Sequence, residues 1–453
     1  MQFHGIRTTF YGCLKTIISY GLHKYNEFML ELKFIRNNPD VVRADLNKRG
    51  DEEKLLWIDD LLAKDIKSRE MQTEINTMRA RRNVISREIN DARKAKEDFS
   101  GLLEEAKSLP ARIKKDEAEL EEINAKIKYY QMRIPNILHE SVPVGADDSE
   151  NVEVKKWGQA VVPSFELKNH GELAVEKNLA EFERAARISG SGFYMLKGNL
   201  ALMDLALQRL AIDLLTERGY TPIIPPYMMN RAAYEGVTDL ADFENVMYAI
   251  EGEDEFLIAT SEHPMAAMYM DEIFEEKDLP IRLAGISPCF RREIGAHGLD
   301  TRGLFRVHQF NKVEQFIYCK PEDSWTLHEE LLKNAEDLYQ MLGLPYRVVN
   351  ICTGDIGTVA AKKYDMEVWM PREETYREVV SCSNCTAYQS VRLNIKVRDA
   401  HDFETKNFVH TLNSTAVATT RTLRAIMENY QEEDGTVVVP EVLRPYMNGA
   451  ETL

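Results

Sequence analysis

The sequence has no apolar run long enough to cross a bilayer. Of its 453 residues 29% are charged, and hydrophobic stretches break off within a few positions. A helical membrane span is therefore excluded. Cysteine is scarce: Cys13, Cys289, Cys319, Cys352, Cys382 and Cys385 make no dense framework. That excludes a small disulfide-stapled secreted domain, and a reducing, cytoplasmic setting is expected. Cys382 and Cys385 have CxxC spacing, but no second CxxC or HxxxH supplies the remaining ligands, so no zinc is expected. An excess of positive charge is also missing, with 57 Lys and Arg against 74 Asp and Glu and a net charge of −17. Any nucleic-acid site must then be a local basic patch. Neither GxxxxGK[ST] nor GxGxxG occurs, so a nucleotide, if bound, is held by arginines and a sheet.

Glycine and proline are nearly missing between Lys54 and Ile134, a stretch rich in helix formers. Met71, Ile75, Met78, Arg82, Ile85, Ile89 and Ala92 alternate spacings of four and three, and Ile113, Leu120, Ile123, Ile127, Tyr130 and Ile134 repeat that rhythm. "EDFSG" at 97–101 lies between them as a turn, and Pro135 closes the second arm. The pattern predicts an antiparallel coiled-coil hairpin. From Asp60 to Arg133 it holds 17 Lys or Arg and 15 Asp or Glu, so the segment is slightly basic in an acidic chain. Arg79, Arg81, Arg82 and Arg87 form one cluster, Arg93, Lys94 and Lys96 a second, and Arg112, Lys114 and Lys115 a third. They fit either a solvated helix face or a grip on a phosphate backbone.

Residues 1–28 carry no acidic side chain before Glu27. This composition suits a transit peptide, but the plainer expectation is an unstructured extension. Residues 29–138 are expected to form the helical domain and 139–158, with proline, glycine and an acidic run, a linker. From 159 to 453, helix and strand signals mix, which predicts an α+β domain with an antiparallel sheet.

The densest chemistry lies in "CFRREIGAHGLDTRGLFRVHQFNKVEQF" (289–316), where strand-like ends flank a glycine-rich middle. Arg291 offers a planar fork of donors to a phosphate or carboxylate. Glu293 and Glu314 can accept from amines or hydroxyls, and Phe310 can present a ring to a base. Taken alone, a surface hairpin with salt bridges is the simpler explanation of these residues.

The same stretch resembles motif 2 of the class II aminoacyl-tRNA synthetases, in the form seryl-tRNA synthetases carry. "ERGYTPIIPP" (217–226) is similar to motif 1, "TSEHP" (260–264) to the family's serine-binding Thr-x-Glu, and "EVVSCSNCTAYQSVRLNIKVR" (378–398) to the strand before motif 3. "HTLNSTAVATTRTLRAIMENYQ" (410–431) resembles motif 3 itself, and the hairpin resembles the family's tRNA-binding arm. The resemblance implies a ligase that activates L-serine with ATP and Mg²⁺, then esterifies tRNA(Ser), and also tRNA(Sec) where it exists. It further implies a homodimer through motif 1.

By the same resemblance Arg291 contacts the α-phosphate and the substrate carboxylate, with Arg292 beside it in the ATP site. Glu293 reads the adenine amino group, Val307 meets the base through its backbone, and Phe310 stacks on it. Thr260 and Glu262 hold the serine ammonium, while Glu314, Thr415 and Asn413 hold its side chain. Glu378 and Ser381 are the Mg²⁺ ligands, Val379 and Val380 line the nucleotide, and Arg421 meets the γ-phosphate. Thr260 and Glu262 could otherwise cap a helix, and Arg421 could pair with an acidic neighbour. Two other functions stay open: an amino acid ligase serving a carrier protein, and a catalytically silent coiled-coil scaffold.

Overall fold

The computed structural model describes residues 31–239, 246–293, 303–399 and 406–453. The proposed extension and the glycine-rich middle of the arginine stretch lie outside them. Two compact units are present, Glu31–Ile134 and Pro135–Leu453.

The first unit is helical: α1 (Leu32–Asn37), α2 (Pro39–Arg49), α3 (Glu52–Ala95) and α4 (Ser100–Gln131). Asp51 caps α3 by accepting from the Lys54 N–H, satisfying one of the orphan donors every helix start exposes. Lys96, in the left-handed region at φ 57°, ends α3, and Asp98 accepts from the Ser100 N–H to start α4. At 44 residues α3 is roughly 66 Å long. No apolar face of that length is stable in water unpaired, and α4 runs back along it. Met71, Ile75, Met78 and Ile85 bury against Leu109, Ile113, Leu120, Ile123, Ile127 and Tyr130.

Arg82 stands in the apolar rhythm, yet its side chain is exposed and the seam passes from Met78 to Ile85. The neighbouring arginines face the return arm instead. Arg81 donates to both carboxylate oxygens of Glu105 at 2.8 Å and to Glu88 at 2.7 Å, and Arg79 donates to Glu117 at 2.8 Å. Half-exposed pairs of this kind add little stability, but they define the register of the two arms.

The second unit is built on an eight-stranded sheet: β1 (Val152–Trp157), β2 (Thr221–Ile223), β3 (Ile281–Phe290), β4 (Gln309–Cys319), β5 (Tyr346–Asn350), β6 (Lys362–Met370), β7 (Thr375–Thr386) and β8 (His410–Ala418). The spatial order is β1-β5-β6-β7-β8-β4-β3-β2, antiparallel throughout except for the short β2–β3 pair. Helices α5 (Gly198–Glu217), α6 (Glu262–Ala267), α7 (Ser324–Met341), α8 (Tyr388–Leu393) and α9 (Thr419–Asn429) accompany it. Leu207 and Leu210 of α5, Leu331 and Leu338 of α7 and Ile426 of α9 share one core with Val348, Met366, Val380, Leu412 and Val417 of the sheet. Alternate residues of the central strands therefore point away from that core, and they make the site.

"FRVHQF" reads as strand, but β4 begins only at Gln309. The preceding backbone bonds elsewhere: the Leu304 N–H to His170 and the His308 N–H to the Gly192 carbonyl. No helix among the described residues is long and apolar enough to cross a membrane.

Candidate active site

Period-two geometry places Phe310, Lys312 and Glu314 on one face of β4, Ser381 and Ser383 on the same face of β7, and Asn413 and Thr415 on that of β8. Together with Arg291 at the end of β3, Thr260, Glu262 and His263 at α6, and Arg421 on α9, they line a cleft of about 410 Å³. Glu378 and Ser381 are an odd number of residues apart and would normally face opposite ways. The β6–β7 register slips between Met366 and Glu367, leaving Val379 unpaired as a bulge. The bulge turns Glu378 into the cleft beside Val379 and Ser381. Val380 is different: its side chain lies in the core on the other side of the sheet, so only its backbone could meet a nucleotide.

Three more residues singled out from sequence do not line this cleft. Val307 is 3% exposed, packed just ahead of β4. Arg292 donates its backbone N–H to the Val246 carbonyl at 2.8 Å. Glu293 has φ 44°, a left-handed conformation uncommon outside glycine, and pairs with Arg306 at 3.5 Å.

The cleft's polar groups fall into two sets. In the first, Glu262 Oε1 accepts from Gln389 Nε2 and Asn413 Nδ2, each at 3.1 Å, while the Glu262 N–H donates to Thr260 Oγ1 at 3.1 Å. That bond is a local turn ahead of the helix and not a cap, since Ser261 holds the N-cap position with no side-chain bond, and the Glu262 carboxylate is left in the cleft. Glu314 is 1% exposed, 2.5 Å from Lys312 Nζ, and accepts from Thr415 Oγ1 at 3.3 Å. Burial, and then the Glu314 charge, push Glu262 up to about 7, against the pull of Lys312, Gln389 and Arg291. Burial holds His263 down at about 3, so it stays neutral.

In the second set, Arg421 Nη1 donates to the Glu378 carbonyl at 2.9 Å and lies 3.2 Å from its carboxylate. Burial raises Glu378, but Arg421 and Lys363 outweigh it and keep the group below its ordinary range. Arg291 donates to the Ala259 carbonyl at 3.3 Å, and its guanidinium lies 5.3 Å from the Phe310 ring centre.

Lys312 and Gln389 were not anticipated. Lys312 sits midway between Phe310 and Glu314 on a period-two strand, a signal that was there to use. Gln389 reaches Glu262 only through the tertiary fold, and nothing local announces it.

Glu378 and Ser381 offer a divalent cation two oxygen donors. Among the described residues no cluster of three or more His, Cys, Asp or Glu is placed to enclose one. So sparse a set fits Mg²⁺, which keeps water and takes substrate phosphates as its other ligands. It does not fit a cation held by protein alone. The cysteines make no zinc half-site: Cys382 packs in the core, Cys385 lines the cleft, and burial pushes both thiols well above their ordinary value.

An antiparallel sheet carrying arginines from the end of one strand and from a following helix defines the class II synthetase core. Residues 246–430 match the family described as tRNA synthetase class II core domain (G, H, P, S and T), and residues 29–138 match the seryl-tRNA synthetase N-terminal domain. The chain is 70% identical over 425 residues to the serine–tRNA ligase of Methanocella arvoryzae, covering 94% of this chain and all of the relative. The crystal structure of seryl-tRNA synthetase from Pyrococcus horikoshii complexed with ATP is 50% identical, with TM-score 0.87 over 93% of this chain and 98% of that one. The cytoplasmic serine–tRNA ligase of Naegleria fowleri in complex with AMP is 36% identical, with TM-score 0.83 over 94% and 99%. The chain belongs to the seryl-tRNA synthetase family.

Proposed function

We propose that this cleft condenses L-serine with ATP to seryl-adenylate and passes the seryl group to tRNA(Ser). The observation carrying this reading is the convergence of two acids, the half-buried Glu262 and the buried Glu314, with the cations Arg291 and Arg421 in one cleft over the sheet. Glu262 and Thr260 take the serine ammonium. Glu314 and Thr415 take its hydroxyl, and Arg291 orients its carboxylate beside the α-phosphate. Phe310 carries the adenine and Arg421 takes the γ-phosphate, while Glu293, two residues beyond Arg291 and outside the cleft lining, must leave Arg306 to read the adenine amino group.

The serine carboxylate attacks the α-phosphorus, the bond to the pyrophosphate oxygen breaks, and pyrophosphate leaves. The nucleophile is already anionic, so no general base is needed, and the protein contributes position and charge neutralisation. Mg²⁺, held by Glu378 and Ser381, would neutralise the triphosphate further. In the second step the terminal 3′-hydroxyl of the tRNA attacks the seryl carbonyl, the acyl carbon–oxygen bond to the phosphate breaks, and AMP departs with the hydroxyl proton passing to its phosphate. The test is serine-dependent ATP–pyrophosphate exchange followed by charging of tRNA(Ser). The same chemistry would serve tRNA(Sec), and motif 1 supports a homodimer.

The shifted Glu262 has a measurable consequence. A carboxyl raised to about 7 favours the free fold at low pH, and that contribution is lost as pH climbs from the ordinary carboxylate value toward 7. The serine ammonium needs the ionised form. At about pH 6, serine binding should therefore release close to one proton, read by calorimetry in buffers of different ionisation enthalpy. Glu262→Gln should remove the release. Serine affinity that is flat from about pH 6 to 8 would contradict the assignment.

For the arm, the exposed Arg82 and Arg87 are better phosphate contacts than Arg79 and Arg81, which are engaged with Glu117 and Glu105. Arg82→Glu with Arg87→Glu should raise the tRNA KM about tenfold or more and lower its salt slope by about two. Exchange and melting temperature should not move. Unaltered tRNA KM would remove both residues from the interface.

A further inference from the structure

A cavity of about 730 Å³, larger than the cleft, is lined by His170, Glu373 and Arg424 among others. The mechanism uses none of them, yet His170 and Arg424 are tightly built in, as is their neighbour Glu428. His170 is 2% exposed, Arg424 3% and Glu428 1%. His170 Nε2 accepts from the Leu304 N–H at 3.0 Å, so the ring proton sits on Nδ1, which lies 3.7 Å from Glu428 Oε1. That same Glu428 oxygen accepts from Arg424 Nε at 2.8 Å, and Arg424 also donates to Glu373.

The chain of contacts continues to the cleft. The Arg424 guanidinium lies 4.7 Å from the Phe305 ring centre and that of Arg421 5.1 Å from the same ring. Two cations one helical turn apart thus share one aromatic side chain, and the backbone beside that ring is pinned by His170. Gly303 permits the approach. It has φ +115°, and a Cβ there would stand 2.2 Å from His170 Nε2. Gln431, just beyond α9, ties the segment before His170 to the helix end by bonding both the N–H and the carbonyl of Lys168, at 2.8 and 3.2 Å.

We infer that His170 is a positioning residue for the triphosphate: by accepting the Leu304 N–H it sets Phe305, and Phe305 sets where Arg421 points. The inference rests on the reading that Arg421 meets the γ-phosphate. It concerns a residue outside the cleft whose effect is on ATP and not on serine.

Three full-length variants separate it from a role in folding alone. His170→Gln puts a side-chain oxygen where Nε2 stands, whereas His170→Asn reaches only the Nδ1 position and His170→Ala neither. In exchange assays the Asn and Ala variants should raise the ATP KM about tenfold or more with the serine KM near wild type. The Gln variant should stay within about threefold of wild type. Equal losses in all three, unchanged ATP KM in Asn and Ala, or parallel shifts in both substrates would overturn it. Should the histidine variants not fold, Phe305→Leu with His170 intact should raise the ATP KM alike, and a wild-type value would overturn the inference. Wild-type protein in the same assay separates the two claims. Its failure to exchange would strike the proposed activity, whereas normal wild-type exchange with indifferent variants strikes only His170.

Discussion

Glu314→Ala is expected to lower serine-dependent exchange about 10⁴-fold while ATP affinity stays within a few-fold of wild type. The carboxylate is 1% exposed and faces the cleft, where Thr415 donates to it and Lys312 pairs with it. A serine hydroxyl completes that set, but alanine and glycine bring nothing and would leave a desolvated acceptor short of a donor. A site built around a hydroxyl rejects its absence far more strongly than a hydrophobic pocket rejects a methyl group. Threonine must be refused by shape, the weaker discriminator. The substitution also strands the buried Lys312 cation, at a cost of about 3–5 kcal/mol to the fold. Thermal melting must accompany the kinetics, and ATP affinity belongs to the folded fraction. Normal serine KM in a folded Glu314→Ala protein would refute the role.

Arg291 carries the second large effect. It stands at the end of β3, anchored on the Ala259 carbonyl and lying against Phe310, and in the proposed reaction it serves both the serine carboxylate and the α-phosphate. Arg291→Ala should cost about 10³-fold in exchange, the scale seen when a preorganised donor to a developing charge is removed. Arg291→Lys should recover little, because an ammonium cannot present two parallel donors to carboxylate and phosphate at once. Both kcat and the KM values should suffer. Recovery to within about threefold by lysine would show that only charge matters there.

Sequence made parts of this legible because they depend on local period. The four-and-three rhythm named the seam residues of the hairpin, since buried positions on a helix recur at that interval. Phe310 and Glu314 share a face because they are an even number apart on one strand. Where local period is broken, spacing alone does not give the facing, and the resemblance placed Glu378 and Ser381 together where period would not. The bulge at Val379 reverses the facing of Glu378, and no count along the chain shows it. Val380 directs its side chain into the core and leaves only its backbone toward the cleft face. The partners of Arg79 and Arg81 are Glu117 and Glu105, which oppose them only once the return arm's register is known. Gln389 and His170 act across more than a hundred residues of sequence, through partners that only the fold assembles.

All of these roles require serine and the nucleotide to meet in one place. Crystals soaked with a non-hydrolysable seryl-adenylate analogue measure that directly. The expected result is the ligand across β4, β7 and β8, with its hydroxyl on Glu314, its ammonium on Glu262 and its phosphate-like linkage on Arg291. A cleft left empty at saturating analogue, or the ligand lodged elsewhere, would contradict it.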